Sequence, residues 1–192
     1  MSRLHLHIAA VLFALHGTVS HAGLPESGGA SFEACSMVAS QYLTTVQLIE
    51  RGLEPEILRE TLPELTDEGA RRIDALHEQV GEHGATETYS NIKSQYARCA
   101  QSVFDEHGEP EAQTREHHFY VCAGENKTRY EIPLAAWMGG ELESVQEQLQ
   151  PAHQEVAEVI FRMHEQHGLD AVFNELTQDL KQCIQQAPDG QM

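Results

Sequence analysis

Phe32-x-x-Cys35 recurs as Phe119-x-x-Cys122, and Cys99 and Cys183 each lie fifteen residues beyond a His-Gly pair, His83-Gly84 and His167-Gly168. A glycine stands seventeen residues after each first cysteine, Gly52 in one half and Gly139 in the other. The apolar stripe leading to each last cysteine repeats as well. Tyr89, Ile92, Tyr96, Cys99 and Phe173, Leu176, Leu180, Cys183 take the same steps of three, four and three. Such self-similarity reads as a tandem duplication of one helical unit of about 65 residues. Four cysteines allow three pairings, and duplicated units most simply carry duplicated internal bridges, so Cys35 is expected with Cys99 and Cys122 with Cys183. Each bridge would close a long loop, worth roughly 4 kcal/mol in the chain-entropy account. A redox or metal role for the cysteines finds no support, because no Cys-x-x-Cys occurs in the chain.

The amino terminus points to export. Arg3 precedes the apolar run Ile8 to Leu15, and Ser20-His21-Ala22 puts small residues where a signal peptidase reads. Residues 1–22 are therefore expected to be a signal peptide cut near Ala22. The run is far shorter than the roughly 20 residues a bilayer span needs, so no membrane span is expected. Export also accounts for the cysteines, since bridges persist in oxidising compartments. The expected location is the bacterial periplasm or the medium.

Start and stop signals place the helices. Ser31 can cap a helix over about 32–51 whose apolar positions Cys35, Val38, Tyr42, Val46 and Ile49 share a face, with Gly52 ending it. Pro55 suits the first turn of a short helix. Thr66 opens a longer one carrying Ile73, Leu76 and Val80 that Gly81 and Gly84 end, and Thr86 opens the helix that reaches Cys99. The second unit is expected to depart from this plan. Ala-Gly-Glu-Asn-Lys-Thr after Cys122 is poor helix material, and Pro133 inside a helix costs about 3 kcal/mol, so its first helix should be short, late or kinked. Its second helix should be about three residues shorter, by the spacing of the landmarks. The expected organisation is all-α, in two homologous three-helix modules each closed by its own disulfide: module one over 23–104, a linker over 105–118, module two over 119–186 and a tail over 187–192.

Charge restricts the partners. The full chain carries −18, and loss of Arg3 with the signal leaves 30 acidic against 11 basic residues, or −19. Such a field repels nucleic acid and anionic membrane surfaces and favours a basic protein partner. A composition of 41% hydrophobic but only 6% aromatic residues leans helical rather than toward a β-sandwich.

Catalytic signals are absent: no Gly-x-Ser-x-Gly and no phosphate-binding glycine loop is present. No catalytic residue and no cofactor is assigned. His164 and His167, with His117 and His118, form the alternative of a metal-binding protein. Against it, His83 and His167 both precede a helix-ending glycine, where a histidine favours the negative end of the helix dipole. Trp137 is the only tryptophan. In the repeat it takes the place of Glu50, and Met138 that of Arg51, so both are expected on an outer face, where Trp often anchors an interface. The opposing expectation is that Pro133 turns this helix inward or that the modules pack there. The function expected is a non-enzymatic interaction or accessory module of the cell envelope.

Overall fold

The computed structural model describes residues 31–62 and 65–188. The signal segment and residues 189–192 of the expected tail lie outside these. The order of elements is α1 (Phe32–Glu50), α2 (Pro55–Thr61), α3 (Asp67–His107), α4 (Arg115–Trp137), α5 (Leu142–Gln146) and α6 (Pro151–Gln185). The described residues are all-helical, with no strand, and two disulfides join Cys35 to Cys99 and Cys122 to Cys183.

Local chemistry sets most boundaries. The Ser31 side chain accepts from Ala34 N at 3.0 Å, and Thr66 accepts from Gly69 N at 3.1 Å, each satisfying an orphan donor of the first turn. Gly52 takes φ +84°, a conformation that costs glycine little. α3 and α6 each contain one non-helical residue, Gly84 and Gly168, at φ 82° and 80°. Each long element is therefore two helices meeting at a glycine. The earlier of the two expected glycine stops, Gly81, is simply helical.

Three expectations are corrected. The 105–118 connection is helical up to His107 and again from Arg115, leaving 108–114 as the nonhelical link. α4 runs unbroken from Arg115 to Trp137 with Pro133 inside it, so it is neither short nor late. Its weak residues do not compete with the helix: Thr128 Oγ1 donates back to Gly124 O at 3.2 Å, and Asn126 Oδ1 accepts from Lys93 Nζ at 3.0 Å. The helix before Gly168, 151–167, is as long as that before Gly84, 67–83. The missing residues fall in the connection instead, where α5 is shorter than α2.

α1 packs chiefly on α3 and α4 chiefly on α6, but one apolar core joins all four. Phe32, Leu43, Val46, Tyr89 and Ile92 enter it from one half, and Phe119, Ile132, Val172 and Phe173 from the other, all nearly inaccessible. Polar contacts cross the same seam. Arg115 Nη2 meets Glu33 Oε1 at 2.7 Å, an arrangement that holds the Glu33 carboxyl below its usual range through the guanidinium hydrogen bond. Thr86 donates to Asp170, and Tyr130 OH donates to Ser90 O at 3.0 Å.

Candidate functional site

α4 ends at Trp137 because two glycines follow Met138. Met138 N donates to Leu134 O at 3.0 Å, Gly139 N to Ala136 O at 3.0 Å and Gly140 N to Ala135 O at 2.8 Å, so the last carbonyls are satisfied by a tight reversal. Gly139 needs φ +83°, and a Cβ on residue 140 would stand 2.8 Å from Ala135 O. The reversal leaves Trp137 57% and Met138 79% exposed, the former the most exposed aromatic side chain among the described residues. The chain then enters α5, whose Leu142 and Val145 pack against the core, as does Leu149 just beyond it.

The four histidines are not gathered at one point. His118 Nε2 lies 2.7 Å from Cys183 O, and His117 Nε2 lies 3.8 Å from Glu109. His164 and His167 precede the Gly168 break, roughly 20 Å along the following helix from Cys183. Among the described residues, one group of three potential ligand residues has its ligand atoms within 4.8 Å of one another, namely His118, Cys122 and Cys183. Its two sulfurs are bonded to each other and its imidazole lies against a carbonyl, which leaves little to offer an ion. His164 Nδ1 is buried with no protein partner.

A buried polar cluster was not anticipated. Lys93, Asn126 and Thr177 are 0%, 6% and 0% exposed at the seam of the two halves. Lys93 Nζ donates to Asn126 Oδ1 at 3.0 Å and to Leu176 O at 3.4 Å. Burial pushes its ammonium down to about 7, partly offset by the Asp179 carboxylate. Asn126 Nδ2 and Thr177 Oγ1 have no protein partner. Lys93 lies four residues after Tyr89 and three before Tyr96, inside the very stripe that leads to Cys99, so its burial was legible there. A cleft of about 240 Å³ lined by Cys122, Glu125, Asn126, Arg129 and Asp179 reaches the edge of this cluster. The amine itself is closed off from solvent, so its lowered proton affinity shapes stability rather than offering a nucleophile.

Comparison with family models, with curated proteins and with solved structures returned no match.

Proposed function

We propose that this is an exported, non-enzymatic interaction or accessory protein of the cell envelope, made of two copies of one disulfide-closed helical module, that presents Trp137 and Met138 to a protein partner. The observation carrying the reading is the exposure of that pair at a helix end closed by a tight reversal. Trp137 and Met138, 57% and 79% in water, place two large apolar side chains side by side on the surface, and Trp is a frequent anchor of interfaces. Two disulfides with no described helix long and apolar enough to cross a membrane fit an extracellular or periplasmic location. The charge of −18 favours a basic partner.

The duplication is supported by how the halves meet. Thr86 bonds Asp170, 84 residues on. The rings of Tyr89 and Phe173, at the same spacing, stack at 6.3 Å, and Lys93 reaches the carbonyl just before its own counterpart, Thr177. Equivalent positions pairing with each other is the pattern of an isologous contact about a two-fold axis. Both bridges also have similar spans, with separations of 64 and 61.

Substituting Trp137 with Ala separates an anchor from a core residue. We expect the melting temperature to change by no more than about 2 °C, the wild-type emission to be red-shifted and readily quenched by acrylamide, and affinity for an envelope partner to fall about thirtyfold, the usual loss for a truncated anchor. Unfolding of the variant, or shielded emission from wild type, would place the ring in the core and remove this reading.

A further inference from the structure

Residues 130–161 contain no Lys and no Arg, while Glu131, Glu141, Glu143, Glu147, Glu155 and Glu158 are all exposed. Elsewhere the acids are partly neutralised: Arg59 pairs with Glu56 and Asp74, Arg72 with Glu68, and Arg115 with Glu33. Lys127 reaches Glu131 at 2.7 Å, but no described cation lies within ion-pair distance of the other five glutamates. Arg129, at the edge of the stretch, is taken by Glu125 and Asp179, and His153 Nε2 faces the Glu125 carboxylate at 3.2 Å.

Hydrogen bonds tie two parts of this acidic stretch together. Gln146 Nε2 donates to Gln154 O at 3.1 Å, and Gln154 Nε2 returns a bond to Gln146 O at 3.2 Å, clamping α5 on the start of α6. Gln146 Nε2 also donates to Glu158 Oε1 at 3.2 Å. The Trp137–Met138 corner opens directly into α5. An apolar ridge is thus set beside unpaired carboxylates.

We infer that this corner and the α5 face bind an arginine- or lysine-bearing segment of the partner protein, with a cationic side chain laid on the Trp137 ring and the α5 glutamates meeting the flanking charges. The inference rests on the interaction reading above and names the chemistry of its partner. A ring face attracts a cation through its quadrupole, and guanidinium is the cation that stacks most readily. A purely apolar partner would have to strip water from carboxylates and leave them unpaired. An acidic one would meet like charge throughout.

The test uses the mature, disulfide-intact protein with hexa-arginine amide as the probe and hexa-glutamate amide as its counterpart. Trp137 is the sole tryptophan, so its emission reports this corner alone. Hexa-arginine is expected to give a saturable change that weakens with added salt, and hexa-glutamate none. Glu141→Gln, Glu143→Gln and Glu147→Gln together should weaken binding about tenfold, whereas Glu60→Gln, Glu78→Gln and Glu87→Gln, an equal loss of exposed charge elsewhere, should change it less than about twofold. Trp137→Ala, followed by calorimetry, should cost about fivefold or more. Equal weakening by the two triple variants, or an emission that hexa-arginine leaves unmoved, would overturn the assignment. If hexa-arginine fails while Trp137→Ala still abolishes capture of an envelope protein, the cationic chemistry falls and the interaction reading stands; if neither responds, both fall.

Discussion

Reduction of both disulfides lowers the melting temperature by about 20 °C, and removal of one bridge, as in Cys122→Ala with Cys183→Ala, by about half of that. Each bridge spans more than sixty residues, which in the chain-entropy account is worth roughly 4 kcal/mol, and 1 kcal/mol moves the midpoint of a chain this size by about 2–4 °C. The bridges sit where opening is felt most. Cys35 and Cys122 are inaccessible, and each bridge ties a helix to the later part of the long helix it packs on, α1 to α3 and α4 to α6, so the bond holds together segments far apart in the chain. Scanning calorimetry with and without reductant checks this. A reduced protein that melts within a few degrees of the oxidised one would show that packing alone fixes those ends.

Stability rises between pH 7 and pH 10, and Lys93→Met removes most of that rise. In the folded chain the Lys93 ammonium loses its proton near pH 7, against 10.5 when exposed. Between those values the unfolded state binds more protons than the folded one, so stability increases with pH; below about 7 both states are protonated and the full penalty applies. At about 1.4 kcal/mol per unit, the whole window is worth roughly 5 kcal/mol. Higher still the sign reverses. Burial pushes the Tyr96 phenol up to about 12 and raises Tyr89 and Tyr42 as well, so the folded state then holds protons that the unfolded chain has lost. A stability maximum near pH 10 follows. Lys93→Met alone strands Asn126 Oδ1, at a cost of about 1–3 kcal/mol, so Lys93→Met with Asn126→Leu is the cleaner comparison. Urea midpoints measured at unit pH steps decide the matter: a wild-type profile flat from 7 to 10 would mean that Lys93 keeps its ordinary proton affinity.

Much of this fold is written in local signals. Ser31, Thr66, Gly52, Gly84 and Gly168 act through the backbone around them, and each stands at a helix boundary or break. The cysteine spacing gave both bridges for a similar reason, since equal frames bring equal ends together. α4 was not legible, because its continuity depends on partners distant in sequence. Asn126 is occupied by Lys93, and Tyr130 is fixed on Ser90. Those contacts outweigh the weak propensities of Gly124 and Thr128 and the lost hydrogen bond of Pro133. Lys93 was missed because the stripe was read through its apolar members only, although a lysine at that register must be buried with them. The exposure of Trp137 was inferred from Glu50, which the structure places at the last residue of α1 as Trp137 is the last of α4.

Only 108–114 connects the halves through the backbone outside a helix, and neither disulfide crosses it. Noncovalent contacts across the seam, by contrast, include Glu33 with Arg115, Thr86 with Asp170 and one shared apolar core. A protease nick in that link would cut the polypeptide without separating it: two bridged fragments would stay clasped around one core, eluting as a single particle and falling apart only in denaturant. The same property makes the link a natural place to split the gene for fragment complementation, with reassembly driven by the shared apolar core, the stacked Tyr89 and Phe173 included, rather than by any covalent tie.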